Sequence, residues 1–233
     1  MEWAKNLFGE LKWSVDIINY EQKLVLARQV AQKVKEGDVI GFGSGSTSFL
    51  IVNEIAKRVK EEGLTIRAIP TSTEIKMACH SLGIPVDSLT HVRPDWSFDG
   101  ADEVDGNNNL IKGRGGAMFF EKILICCSEI NYIVVDNSKF VSCLGEKFPV
   151  PIEITPEALL YTRKALFDLG AAEIILRLAK AKDGPVVTEN GNYILDVRFS
   201  KIHINLEKEI KSITGVIESG LFIDYNIQII TNE

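Results

Sequence analysis

The chain has 233 residues, 45% of them hydrophobic and 25% charged, and its formal net charge is −6 at pH 7. This length suits one good-sized core with a smaller appended domain, and the acidic balance argues against nucleic-acid binding, because phosphate backbones are bound by clustered Lys and Arg. We find neither an apolar run of roughly 18 residues that would span a membrane nor a secretion signal, so we expect a cytoplasmic protein without membrane or nucleic-acid partners.

Residues 1–20 form a distinct N-terminal extension. Apolar residues fall near helical spacing, at Trp3, Leu7, Leu11, Val15 and Ile18. The pattern permits a short amphipathic helix. Such a segment could serve docking or oligomerisation, or it could simply pack on the body of the protein. The sequence assigns it no role.

Strands and helices then alternate. Helical periodicity covers 24–34, 49–59, 75–82 and 117–128. Between these helices, short apolar runs predict strands at 39–42, 65–70, 84–89, 95–99 and 132–136. This order predicts an α/β fold with an open, mostly parallel, Rossmann-like sheet and helices on both faces. Ligands of such sheets bind beyond the carboxyl ends of the strands.

The pattern of predicted elements changes near residue 145. A helical pattern covers 156–169, and strand patterns follow at 171–179, 184–189 and 192–199. Asn190-Gly191 predicts a type I′ hairpin turn, in which both central residues need positive φ. We therefore predict an α/β domain at 1–145 and 214–233, whose sheet the C-terminal tail rejoins. We also predict a small α+β domain at 146–213, which could serve oligomerisation.

The stretch GFGSGSTS, residues 41–48, is a candidate phosphate site. Backbone N–H groups at a helix start, with Gly allowing close approach and hydroxyls adding donors, suit a phosphate monoester. The stretch lacks the Lys of a Walker A loop, and Thr47 occupies the third Gly position of the dinucleotide motif. A tight turn capped by Ser is the alternative. The Thr71-Ser72-Thr73 loop could donate to the same ligand or be a plain helix cap before Glu74.

Asp99 and Asp102 open an acidic loop with two possible chemistries. They could bind a divalent metal, or they could accept hydrogen bonds from a polyhydroxylated substrate and exchange a hydroxyl proton. The metal is disfavoured because the histidines are scattered and the cysteines form no C-x-x-C pair, which suggests reduced core thiols. These residues are His80, His91, His203, Cys79, Cys126, Cys127 and Cys143. Glu103 and Asp105 fit a solvated turn, and we assign that role to Asp105.

The loop Lys112-Gly113-Arg114-Gly115-Gly116 supplies a cation where backbone can touch a ligand. Such a Lys can stabilise an oxyanion as it develops. Glu121 follows among large apolar residues, and apolar surroundings raise the proton affinity of a carboxylate, which suits a base that takes a proton from carbon and returns it. Periodicity alone also allows Glu121 and Lys122 to be ordinary polar positions on a partly exposed helix.

Together these stretches resemble the ribose-5-phosphate isomerase family, type A. The resemblance rests on GFGSGSTS, DGADEVDG, IKGRGGAMFFEK, VVDNSKFVSCLGEKFPVPIEI and TENGNYILD, and it covers most of residues 21–222. It implies interconversion of D-ribose 5-phosphate and D-ribulose 5-phosphate without metal or organic cofactor, in a homodimer or homotetramer.

The resemblance also implies roles for individual residues. Glu121 would be the proton acceptor, acting with Asp99, Asp102 and Lys112. The substrate-binding residues would be Lys23, Ser44, Gly45, Ser46, Thr47, Asp99, Gly100, Ala101, Asp102, Lys112, Gly113, Arg114, Gly115 and Lys139. Ser44 stands where the family commonly has Thr, Arg114 replaces a frequent Gly, residues 1–20 have no counterpart, and the C-terminal stretch FIDYNIQIITNE matches only loosely.

Two other classes remain as alternatives. A non-catalytic sugar-phosphate sensor needs no combination of Asp99, Lys112 and Glu121, and it would normally carry a DNA-binding domain, for which residues 1–20 are too short. A Rossmann oxidoreductase predicts an acidic residue about 20 positions beyond its Gly loop, at the end of a strand. Here the corresponding strand ends in Ile69-Pro70-Thr71, without an acid.

Overall fold

The computed structural model describes Trp13 and residues 16–232. The predicted helix within residues 1–20 therefore lies almost entirely outside the described residues. The α-helices of the described part are α1 Tyr20–Ala31, α2 Gly45–Glu62, α3 Thr73–Leu82, α4 Met118–Cys127, α5 Leu159–Asp168 and α6 Leu206–Lys211. Its strands are β1 Val39–Phe42, β2 Arg67–Pro70, β3 Trp96–Asp99, β4 Glu103–Val104, β5 Leu110–Ile111, β6 Ile130–Val134, β7 Val150–Ile154, β8 Ala171–Leu176, β9 Tyr193–Phe199, β10 Val216–Ser219, β11 Leu221–Phe222 and β12 Gln228–Ile230.

The chain divides into two compact units. Of the described residues, the first unit takes those within Met1–Gly100, Leu124–Asn137 and Ile227–Glu233, and the second takes Ala101–Ile123 and Ser138–Asn226. The sequence predicted domain boundaries after residues 145 and 213. These boundaries stay a prediction, because a domain folds independently whereas a compact unit need not.

The first unit is built on a five-stranded parallel sheet in the order β12-β6-β3-β1-β2. All four residues of the interior strand β1 are buried, as expected for a parallel strand covered on both faces. At Gly41 an added Cβ would collide with Leu124 and Ser97, so this position needs Gly for close packing. The predicted α/β class is confirmed, and β12 rejoins the sheet as predicted.

The second unit contains two antiparallel sheets. One has the order β10-β7-β9-β8 and the other the order β11-β5-β4. Apolar residues of β7, β9 and α5 form its core, with Ile152, Leu195 and Leu166 fully buried. The two small loops at the ends of β4 and β5 carry the Lys-Gly-Arg-Gly-Gly segment and part of the acidic segment, so the sheet β11-β5-β4 supports both.

Two predicted strands are wrong. Residues 84–89 and 184–189 form only isolated bridges, Ala68 with Val86, Leu178 with Pro185, and Val187 with Tyr193. Each segment contains a proline, Pro85 or Pro185, which has no N–H to donate to a ladder.

The Asn190-Gly191 turn also differs from its predicted type. Only Gly191 has positive φ, at 81°. Gly191 N–H donates to the Thr188 carbonyl, and Thr188 N–H to the Asn192 carbonyl. This is the pattern of a longer hairpin loop that ends in a left-handed Gly, rather than a two-residue type I′ turn.

The cysteines are not all core residues. Cys79 is buried, and burial raises the pKa of its thiol to about 12. Cys126 and Cys143 are exposed, which corrects the expectation of four core thiols. In the described residues, no helix is long and apolar enough to cross a membrane.

Candidate active site

The Gly-Ser stretch in the first unit begins a helix earlier than predicted. Helix α2 starts at Gly45 rather than near Phe49, so Ser46 and Thr47 belong to its first turn, with Ser44 at the N-cap. Gly45 has φ +83°, a conformation that favours Gly. The first N–H groups of a helix have no partner within it. The residues predicted to bind phosphate therefore lie where backbone donors are available.

Lys23 contributes a cation to the same end of helix α2. It lies on α1, its residue is only 7% exposed, and its Nζ is 3.3 Å from the Ser46 hydroxyl oxygen. A buried ammonium beside a helix N-terminus favours an anion. The structure thus brings Lys23 to the 44–47 segment, although the two are more than twenty residues apart in sequence.

Asp99 ends strand β3 and is 4% exposed. Its Oδ1 accepts hydrogen bonds from the N–H groups of Gly100, at 2.7 Å, and Ser44, at 3.2 Å. Because Phe42 pairs with Phe98 in the parallel sheet, the residues that follow the two strands lie side by side. A Cβ at Gly43 would overlap the Asp99 carboxyl group. The sequence analysis assigned no role to Gly43; its position directly after a buried strand was the available signal.

Lys112 and Glu121 form a buried pair in the second unit. Lys112 Nζ lies 3.4 Å from Glu121 Oε2, and the two side chains are 3% and 4% exposed. Glu121 is in the first turn of α4, and the N–H of Lys112 is held by the carbonyl of Gly220, at 2.9 Å. The alternative of Glu121 as a partly exposed helix residue is wrong. A carboxylate and an ammonium here share an environment with little water.

Glycines shape the loop between these two residues. Gly113 and Gly116 have φ values of +93° and +89°, and Gly116 N–H donates to the Gly113 carbonyl. The positive φ values explain why a tight turn here needs Gly. Arg114 is exposed, and its guanidinium carbon lies 5.1 Å from the centre of the Phe148 ring.

Asp102 is half-buried and accepts a hydrogen bond from the N–H of Arg114 at 3.2 Å. Burial raises the pKa of the Asp102 carboxyl, although the ammonium groups of Lys112 and Lys139 act in the opposite direction. Ala101 beside it is also half-buried, as is Lys139 at the end of the 3-10 turn Asn137–Lys139. Glu103, for which a solvated turn was one interpretation, is instead fully buried and accepts hydrogen bonds from three backbone N–H groups, those of Gly145, Lys147 and Phe148.

A cavity of about 440 Å³ opens in the second unit beside this loop. Its lining includes Asp102, Arg114, Gly115, Arg177 and Asp196. The lining of the cavity therefore offers both acidic and basic groups to a polar ligand. Within residues 13 and 16–232, no group of three or more His, Cys, Asp or Glu side chains could hold a metal ion.

Comparison with known proteins places the chain in a family. Residues 67–233 match the family model described as ribose 5-phosphate isomerase A (phosphoriboisomerase A). The chain belongs to the ribose-5-phosphate isomerase A family. The ribose-5-phosphate isomerase A of Methanocaldococcus jannaschii is 45% identical over 207 residues, which cover 88% of this chain and 91% of that protein. Ribose-5-phosphate isomerase A 1 of Oceanobacillus iheyensis is 41% identical over 221 residues, or 93% of this chain and 97% of that protein.

Solved structures of isomerases in this family are similar to this chain. The ribose 5-phosphate isomerase A structure from Methanocaldococcus jannaschii superposes with a TM-score of 0.87 and 43% identity, covering 91% of this chain and 95% of that chain. A D-ribose-5-phosphate isomerase in complex with phospho-erythronic acid has the same TM-score of 0.87, with 37% identity over 91% of this chain and 95% of that chain. The similarity to the isomerase family that the motifs indicated is confirmed, whereas the roles of individual residues stay predictions.

Proposed function

We propose that this chain interconverts D-ribose 5-phosphate and D-ribulose 5-phosphate through a cis-enediolate, as part of the non-oxidative pentose phosphate pathway. The observation that carries the proposal is the buried pair of Lys112 and Glu121, with 3.4 Å between Nζ and Oε2. Aldose-ketose isomerisation needs a base beside carbon and a positive charge beside oxygen. This pair supplies both.

Glu121 acts as the base. It takes the proton from C2 of the open aldose, and the electrons of the broken C–H bond form a double bond between C1 and C2 while negative charge moves to the C1 oxygen. The C2 hydroxyl then passes its proton to the C1 oxygen, the new carbonyl forms at C2 as the double bond breaks, and the proton held by Glu121 goes to C1. Lys112 and the backbone N–H groups of Gly113 and Gly115 stabilise the oxyanion, because the N–H groups of Arg114 and Gly116 already donate to Asp102 and to the Gly113 carbonyl. The effect is worth roughly 3 to 4 kcal/mol for a well-placed donor.

The remaining residues bind and prepare the sugar. Lys23 and the Ser44–Thr47 segment bind the phosphate, with a further contact from Lys139. Asp99 handles the anomeric proton as the furanose ring opens, and Asp102 holds hydroxyl groups. The raised pKa of Asp102 supports a carboxyl that can carry a proton near a substrate hydroxyl. Binding energy from the phosphate then orients the reacting carbons.

The wider expectations rest on the family. The family implies a reaction without metal or organic cofactor, in a homodimer or homotetramer, and the cytoplasmic location is an expectation from the sequence alone. The bound phospho-erythronic acid in one similar structure supports a phosphorylated sugar derivative as the ligand class.

Ketose formation from ribose 5-phosphate, measured in the presence of a metal chelator, tests the proposal. We expect activity that the chelator does not abolish, and we expect Glu121→Gln to lower kcat by about 100-fold or more, the usual contribution of a positioned base. The matched control is Glu129→Gln, whose side chain is 63% exposed and pairs only loosely with Arg93, at 3.5 Å. Near-normal turnover of a folded Glu121→Gln protein would show that Glu121 is not the base.

A further inference from the structure

Arg177 reaches the Lys-Gly-Arg-Gly-Gly loop from the end of strand β8. Its Nη1 donates to the carbonyl oxygens of Gly113, at 3.2 Å, and Arg114, at 2.9 Å. These carbonyls belong to the loop that follows Lys112. The sequence gives no hint of this contact, because Arg177 lies more than sixty residues from the loop.

Arg177 and Asp102 bind the same peptide group from opposite sides. The Gly113 carbonyl and the Arg114 N–H are parts of one planar peptide unit and point in opposite directions. Arg177 donates to that carbonyl, and the N–H donates to Asp102 Oδ2 at 3.2 Å. A charged donor on a carbonyl polarises the peptide and strengthens the hydrogen bond that its N–H makes. The position of Arg177 therefore affects the position of the Asp102 carboxylate.

Asp196 orients Arg177 in turn. The Arg177 guanidinium makes a bidentate pair with Asp196 on strand β9, with distances of 2.9 Å and 2.5 Å, and the two side chains are 16% and 20% exposed. The main chain of Arg177 is also held, because its N–H donates to the Ile194 carbonyl at 2.9 Å. The salt bridge to Asp196 and the main-chain hydrogen bond to Ile194 together fix Arg177, so its remaining guanidinium N–H groups point at the loop.

We propose that Arg177, held by Asp196, is a positioning residue that orients the Gly113–Arg114 peptide and, through it, Asp102. This inference rests on the proposed isomerase function, in which Asp102 binds substrate hydroxyls. Arg177 itself takes no part in bond making. It sets the geometry of a loop whose glycines would otherwise leave it with several accessible conformations.

The test compares kcat and KM of Arg177→Met, Arg177→Lys and the wild type. Since misplacing a catalytic group by about 1 Å can cost roughly 100-fold in rate, we expect Arg177→Met to lower kcat by about 10- to 100-fold, with a smaller change in KM. Lys restores the charge but not the planar fork, so Arg177→Lys is expected to recover only part of the loss. Arg198→Met is the matched control, because it removes an Arg–carboxylate contact of the same hairpin, to Glu173 at 3.7 Å, and should stay within about twofold of wild type.

Two further measurements separate positioning from a general loss of stability. In the double variant Arg177→Met with Asp102→Asn, we expect little loss beyond that of Asp102→Asn alone, because both changes act on one hydrogen-bonded unit. The Arg114 amide resonance should also shift, and its hydrogen exchange should become faster in Arg177→Met.

The outcomes are distinct. Fully additive losses in the double variant, or an Arg114 amide unchanged in Arg177→Met, would overturn the positioning role. Absence of isomerase activity in the wild type would instead refute the proposed function, and the Arg114 amide would still decide whether Arg177 orients the loop.

Discussion

Replacing Lys122 with Met should remove the ammonium group that neutralises two buried carboxylates. Lys122 Nζ lies 2.5 Å from Glu207 Oε1 and 2.9 Å from Glu218 Oε1, and it donates to the Leu221 carbonyl at 2.7 Å. The three side chains are 6%, 12% and 11% exposed. Removing one partner of such a buried set costs about 3–5 kcal/mol in the free energy of unfolding. At this chain length, that corresponds to a fall in Tm of about 6–20 °C.

The loss should depend on pH in a definite direction. Burial alone would raise the pKa of the Glu218 carboxyl, but the Lys122 ammonium, the Ser219 N–H and Lys211 together hold it below its usual value. A lowered folded-state pKa means that this stabilisation is present above the unfolded-state value, about 4.3, and is lost as the pH falls through the folded-state value. The deficit of Lys122→Met should therefore be largest near neutral pH and shrink below about pH 4.

Urea denaturation at about pH 7 and about pH 3 measures both quantities. Lys164→Met is the matched control: Lys164 lies 2.6 Å from Asp168, a similar distance, but these side chains are 76% and 64% exposed. An exposed pair of this kind contributes little to stability, because water and salt screen it. Equal losses in the two variants, or a Lys122→Met deficit that does not change with pH, would refute the reasoning that burial makes this network stabilising.

Two other substitutions test the site itself. Asp102→Asn should lower turnover yet raise Tm near neutral pH. Burial raises the pKa of Asp102, so its ionised form destabilises the fold above the unfolded-state pKa of about 3.9, and the gain in Tm should vanish below about pH 4. A lower Tm of Asp102→Asn near neutral pH would contradict this. Gly43→Ala should displace Asp99, because the new Cβ would overlap its carboxyl group, and we expect kcat/KM to fall about 100-fold. Gly106→Ala, where a Cβ meets no atom within 4 Å, is the control, and equal activity of the two variants would contradict the prediction.

The sequence predicted the features that depend on local pattern. Strand β1 and helix α4 follow from an apolar run and from helical periodicity, and their predicted bounds lie within one residue of the observed ones. The start of α2 was placed four residues late, because Gly45, Ser46 and Thr47 are weak helix formers that tertiary structure accommodates in a first turn. The resemblance to the isomerase family, rather than local pattern, implied that Glu121 and Lys112 belong to one catalytic set, and this stays a prediction.

What the sequence could not predict are contacts between distant residues. The burial of Glu121 against Lys112 depends on how the loop of residues 113–116 turns, and helical periodicity did not decide it. The attachment of Arg177 to the Gly113 and Arg114 carbonyls depends on the register of β8 with β9, which places Asp196 beside Arg177. The sequence likewise left Lys122 as a possible polar position on a partly exposed helix, since its partners lie 85 and 96 residues away.

Helix α4 carries two neighbouring residues whose side chains contact different partners. Consecutive helical positions point about 100° apart, so Glu121 faces Lys112 while Lys122 faces Glu207 and Glu218. On the proposed mechanism, we therefore expect that catalysis and stability can be altered separately by substituting these two adjacent residues. A Glu121→Gln variant keeps a side-chain oxygen that can accept a hydrogen bond from the Lys112 ammonium. We therefore expect it to fold and to bind sugar phosphate without turning it over, which makes it a suitable material for trapping the bound substrate. A Lys122 variant should be a working enzyme with a shortened lifetime when heated.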